Sequence, residues 1–175
     1  MGWTLDGNNE EAKFTQRIAW LIASAAQFRT ETGAASATAA LAYIHLEADD
    51  TSDTTATRPR AVIDVEDEDY SREIRSLNDY QSAAGAIVSF EFLIGSSYSA
   101  HKWDRQTKFL NKVGTIIDQM KVLSGTGTGY FSGETHLSFS ALRRIAGPTA
   151  ITGKAQTSEA RLTFIGVRYR MEFDR

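Results

Sequence analysis

Five carboxylates crowd one short stretch of this chain: Asp64, Glu66, Asp67, Glu68 and Asp69. They close a β-branched run, and strand alternation puts Asp64 and Glu66 on one face. Both can there reach one hard cation through oxygen ligands. Metal-dependent nucleases place carboxylates at strand ends in this way, beside a catalytic lysine or a further acid. No lysine lies between Lys13 and Lys102, so the strand–turn–Glu-x-Lys arrangement is missing. A solvated acidic loop is the simpler expectation.

Other constellations are weaker. Gly125-Thr126-Gly127-Thr128-Gly129 offers backbone N–H groups to an anion, but it leaves a helix and enters a strand. Phosphate loops run the other way, ending at a helix N-terminus. A plain connection is expected. His45, His101 and His136 are scattered and lack helical i, i+4 partners, and no Gly-x-Ser-x-Gly elbow surrounds any serine. No metal, cofactor or catalytic residue is assigned. Arg143, Arg144, Lys154, Arg161, Arg168 and Arg170 gather in the last third and can meet phosphates. Cross-strand pairing with the acidic segment or an ordinary solvated face is the simpler expectation, and nothing specifies base readout.

The absence of cysteine excludes disulfide scaffolds, thiol catalysis and thiolate zinc sites. Hydrophobic residues make up 42% of the 175, enough to build a core. No apolar run approaches the roughly 20 residues of a membrane-spanning helix, and no secretory signal is visible. The net charge is only −3. Its distribution is lopsided: residues 1–69 hold 5 Lys and Arg against 13 Asp and Glu, and residues 70–175 hold 14 against 9. A uniformly basic surface for duplex nucleic acid is therefore not expected. Such a split is neutralised within one fold, or where unlike faces of two subunits meet.

Periodicity supplies the elements that would position these residues. A helix is predicted from Glu10 to Phe28, capped by Asn8 or Asn9, with Phe14, Ile18, Leu21, Ile22 and Ala25 on one face. After Gly33, the alanine-rich stretch to Ala40 reads either as a turn or as a short helix. Alternation then predicts a strand over 42–48, with Ile44 and Leu46 facing one way and His45 the other. A loop follows over 49–57 and a strand over 61–65. Residues 67–84 are polar and loop-like. Alternating residues over 86–94 predict the longest early strand, with Val88, Phe90, Phe92 and Ile94 on one side. A second helix starts near Ser99 or Asp104 and runs to about Leu123. Its stripe is Phe109, Val113, Ile116, Ile117 and Met120, with Lys108, Lys112, Asp118 and Lys121 on the wet side. Strands are predicted at 135–142 and 160–173, separated by a loop or extended arm at 143–158. Gly166 is a candidate bulge that exchanges the faces of the last strand.

Two striped helices need a partner surface, and five strands supply it. The expectation is one α+β domain over 1–175, with a mixed or antiparallel sheet of about five strands and both helices on one face. Strands around the acidic loop are expected to be antiparallel. Long loops are expected near 49–60, 67–85 and 143–158.

The order of elements has a family likeness. It runs from the leading helix through Arg58-Pro59-Arg60-Ala61-Val62-Ile63-Asp64-Val65 to the strand Ala86-Ile87-Val88-Ser89-Phe90-Glu91-Phe92-Leu93-Ile94. Past Asp104 comes the helix around Lys112-Val113-Gly114-Thr115-Ile116-Ile117-Asp118, and the chain closes on Phe164-Ile165-Gly166-Val167-Arg168-Tyr169-Arg170-Met171-Glu172-Phe173. Over most of its length the chain resembles the tail terminator and tail-completion (neck) proteins of long-tailed bacteriophages. The likeness is one of element order and texture; no single motif carries it. It implies a non-enzymatic virion protein without cofactor, assembled in the host cytoplasm into a ring, typically of six copies. Such a ring caps the tail tube, ends its growth and offers a docking surface to the head–tail connector or neck. It contacts no membrane and DNA only incidentally, in its lumen. Under that likeness, acidic Asp49, Asp50, Asp53, Glu66, Asp67, Glu68 and Asp69 meet a basic surface of a neighbour or the tube that involves Arg143, Arg144 and Lys154. The alternatives are another virion protein (head–tail connector or tube subunit), or a small metal-dependent nuclease or ligand-binding domain.

Overall fold

The computed structural model describes residues 10–46, 59–65, 83–93, 101–125, 138–155 and 158–174. The first apolar stripe forms helix α1 (Glu10–Ser24), which stops short of the predicted end. Ala25 takes an extended conformation with ψ 120°, and a second helix, α2 (Ala26–Thr32), starts beyond it. No proline or glycine marks this break. The freed N–H of Gln27 is instead taken by Gln119 Oε1 at 2.9 Å, from a helix 92 residues away. Tertiary structure thus supplies the cap that Ala25 lacks.

Gly33 ends α2 in the left-handed conformation (φ 70°), and the N–H of Ala34 donates back to the Arg29 carbonyl, the usual helix stop. The alanine-rich stretch resolves as a short helix, α3 (Ala37–Ala40), whose first turn is capped by Ser36 Oγ accepting from the N–H of Ala39. A 3-10 turn over Leu41–Tyr43 then shortens the first strand to β1 (Ile44–Leu46).

The remaining elements are β2 (Arg60–Val65), β3 (Ala83–Leu93), α4 (Lys102–Gly125), β4 (Ser138–Ala155) and β5 (Ser158–Asp174). The sheet order is β1-β2-β3-β5-β4. β2, β3, β5 and β4 pair antiparallel, so the strands on either side of 66–82 meet the expectation. β1 and β2 are parallel, with Ile44 opposite Ala61, which makes the sheet mixed. Parallel neighbours need a return connection of about a dozen residues, which the chain between Leu46 and Arg60 can supply. The result is a mixed five-stranded sheet in an α+β fold.

Alternation decides which sheet face is buried. Ile44, Ala61, Ile63, Ala86, Val88, Phe90, Phe92, Ile165, Val167 and Met171 form the sheet side of the core. The helices cover it with Phe14, Ile18, Ile22, Phe28, Phe109, Val113, Ile116, Ile117 and Met120. α1 is buried well beyond its stripe, with Thr15, Gln16, Ala19 and Ala23 also inside, because α2, α3, α4 and β2 all pack around it. Lys112 is not simply solvated: its Nζ bonds Glu31 of α2 at 2.9 Å, tying α2 to α4.

The expected loop or arm at 143–158 is instead mostly strand. β4 runs unbroken to Ala155 against β5. Gly147-Pro148 suggests a break, but proline is tolerated on an edge strand, where its missing N–H faces away from the ladder. β4 absorbs it as a bulge: Ala146 faces Arg168 and Thr149 faces Gly166, one extra residue on β4. Gly166 does not bulge. Its register against β3 is continuous, and Ile165, Val167 and Met171 stay on one side. Similarly, β3 begins at Ala83, inside the loop predicted for 67–85.

Tyr169, on the core side of β5, shows how the layers set chemistry. Burial raises its hydroxyl above the ordinary value near 10, and Arg144, its cross-strand neighbour, partly opposes this. Above about pH 10 the unfolded tyrosine loses its proton first, so stability falls as pH rises toward the folded value. Tyr169→Phe is expected to lessen the loss of stability between about pH 9 and 11, read from urea midpoints of both proteins.

Candidate functional site

The sheet side opposite the helices carries the polar groups, arranged in rows by the register. Arg60, Glu91, Gly166 and Thr149 form one row, and Val62, Ser89, Arg168 and Ala146 the next. Asp64, Ile87, Arg170 and Arg143 form the third. In the first row Arg60 Nε donates to Glu91 Oε2 at 2.9 Å. The two side chains are only 5% and 14% exposed, so this is a largely desolvated charge pair, whose members are costly to separate.

Beside the pair the face forms a groove of about 240 Å³, lined by Asp64, Ser89, Glu91, Thr149 and Arg168, among others. Its end is shaped by the β4 bulge. Gly147 (φ 83°) lies so close over β5 that a Cβ there would stand 2.5 Å from the Gly166 carbonyl oxygen. The Gly147–Pro148 peptide is cis. From the helix side, Gln106 Nε2 of α4 donates to the Pro148 carbonyl at 3.2 Å and holds the bulge in place.

β4 has β5 as its only strand neighbour among the described residues and forms the long edge of the sheet. Residues 141–146 are exposed, including Leu142 at 37% and Ile145 at 43%. At the opposite edge β1 has only three residues. Trp103, in the first turn of α4 and one turn before Gln106, is 76% exposed.

Of the residues singled out in the sequence, Arg143 and Arg144 both stand on this open edge, exposed. Both are exposed, as a solvated face would have them, and their described cross-strand neighbours are not acids: Arg143 faces Arg170 and Arg144 faces Tyr169. Arg170 is balanced by Glu172, 3.7 Å away on its own strand. Lys154 lies on the same strand, opposite Arg161. Asp49, Asp50, Asp53, Glu66, Asp67, Glu68 and Asp69 lie outside the described residues, as does His136.

Asp64 is half-buried on β2 and lines the groove. The carboxylate that shares the groove with it is Glu91 of β3. Strand alternation puts Ser89 and Glu91 on one face of β3, but nothing local pairs β3 with β2. Among the described residues no group of three or more His, Cys, Asp or Glu is placed to hold a metal ion. His45 is half-buried in β1, and His101 is exposed at the start of α4.

Fold and site together define a two-layer α+β protein with one helix-covered sheet face, one polar grooved face and a long basic edge. No protein-family model matches the chain, and no curated protein sequence matches it significantly. Among the described residues no helix is long and apolar enough to cross a membrane.

Proposed function

We propose that this protein is a structural subunit of a bacteriophage tail neck, one that assembles into a ring, caps the tail tube and ends its growth. One observation carries the reading. Among the described residues helices cover one sheet face only, and an 18-residue edge strand bears Leu142, Arg143, Arg144 and Ile145 outward. Natural proteins blunt long edges unless something pairs or covers them. An exposed mixture of apolar and arginine side chains suits a protein interface. The acidic first third of the chain offers a complementary surface on a neighbouring subunit or on the tube, and charge complementarity fixes orientation and encounter rate. Head-to-tail repetition of such unlike surfaces closes into a ring when the rotation allows. In the virion the ring's partners would be the tube protein and the head–tail connector.

The test is the mass and symmetry of the purified particle, by light scattering and averaged electron images, alone and with tail tubes. Rings, or a monomer that forms rings on tube ends, are expected. Arg143→Glu with Arg144→Glu is expected to weaken assembly about tenfold or more at low salt, and unchanged assembly would count against the charge contact. A second reading, a small ligand-binding domain, draws on the groove; a strict monomer that binds a small polar molecule there would favour it.

A further inference from the structure

The sheet face opposite the helices holds polar groups that no other described residue answers. Among the described residues the Asp64 carboxylate has no hydrogen-bond or ion-pair partner, and the Ser89 and Thr149 hydroxyls have none either. All three line the groove of about 240 Å³. Arg143 and Arg144 are exposed on the β4 edge, and neither forms an ion pair among the described residues. One chain therefore carries surplus charge of both signs on its strands.

Sheet geometry prevents these charges from meeting within a subunit. Asp64 and Arg143 occupy the same row, but β3 and β5 stand between their strands. Three strand spacings amount to about 14 Å, beyond the reach of a direct pair. Arg144 lies on the opposite face of β4, beside Tyr169. Between subunits no such restriction applies.

We propose that the groove receives an arginine of the β4 edge, Arg143 or Arg144, from a second copy of this chain. This rests on the ring-forming reading above and names the acceptor for its basic edge. The chemistry of the groove suits a guanidinium. Its planar fork presents five N–H donors. A carboxylate can take two of them side by side, and the Ser89 and Thr149 oxygens can accept others. The Arg60 charge is already matched by Glu91, and Arg168, the other lining cation, is exposed and screened by solvent. Asp64 is thus the carboxylate left for a newcomer. Edge onto face is a head-to-tail contact, in which each subunit gives an arginine to one neighbour and takes one from the other.

The experiment uses two charge-reversed full chains, Asp64→Arg and the double variant Arg143→Glu with Arg144→Glu. Each is first checked for its native circular dichroism and thermal transition. Self-association is then measured by sedimentation at low salt. Each variant alone is expected to associate about 10- to 100-fold more weakly than the wild type. An equimolar mixture is expected to recover the wild-type mass. There, the intact edge of the first chain meets the intact groove of the second, and the acidic edge of the second meets the arginine in the groove of the first. Recovery on mixing is an outcome that damage to either fold cannot produce. A wild-type ring unaffected by Asp64→Arg, or two weakened variants that do not recover when mixed, would overturn this contact and leave the ring reading standing. A wild type that is monomeric both alone and with tubes would overturn both.

Discussion

Replacing Phe109 with alanine is expected to cost about 3–5 kcal/mol of folding stability. Phe109 is fully buried on α4, and its ring meets Phe92 of β3 edge to face at 5.5 Å. Phe92 in turn lies 6.4 Å from Phe90, two residues along the same strand. The three rings join the long helix to the central strand, so truncation both removes buried apolar surface and opens a cavity between rigid layers. The surroundings cannot collapse readily, because Phe90 and Phe92 are fixed by the β3 ladder. Against a typical total of about 5–15 kcal/mol for a domain, this is a large share. Urea unfolding followed by circular dichroism reads it directly. A loss under about 1 kcal/mol would mean that the two layers are less firmly joined than the ring contacts imply.

Gly147→Ala is expected to destabilise by about 3 kcal/mol, from two sources that act together. The backbone at Gly147 has φ 83°, a region where a side chain meets the following carbonyl. An added Cβ would also stand 2.5 Å from the Gly166 oxygen and 3.0 Å from Val167 Cα, both backbone atoms of a paired strand. Neither can swing aside as a flexible side chain would. The expected response is a local shift of the bulge away from β5, with loss of the Gln106–Pro148 contact that anchors it. Hydrogen exchange should therefore rise around residues 146–149 and 166–168 beyond what the change in global stability explains. A variant with wild-type stability and exchange would show that the bulge rearranges freely, and the groove it helps to shape would then not be a rigid feature.

Both predictions fall on residues whose importance is unequally visible before folding. Phe109 belongs to a stripe with helical spacing, and Val88, Phe90 and Phe92 to a clean alternation. Each pattern is local, and each element buried the face its pattern marked. Gly147 looks like a chain breaker in the sequence, next to a proline and after two arginines. Only its neighbour across the sheet explains why the strand continues: β4 is an edge, and β5 offers a glycine where the bulge presses closest. The charged residues divide in the same way. Arg143 and Arg144 stood out as basic residues, yet their lack of an acidic cross-strand partner is a matter of register. The buried partnership of Arg60 with Glu91 depends on which strands lie side by side, which no spacing along the chain reports. Nor does any spacing report that Glu91 shares a groove with Asp64.

By itself the sequence determined the fold class, the buried faces of α1, α4 and β3, and the absence of thiol chemistry, because hydrophobic periodicity and composition act within a few residues. Tertiary structure decided the break at Ala25, the parallel pairing of β1 with β2, the length of β4 and the make-up of the groove. Each of those depends on a group brought from far along the chain, such as Gln119 to Gln27 or Gly166 to Gly147. Contacts of that kind are chosen by the packing of whole layers, where the most favourable burial overrides local preference.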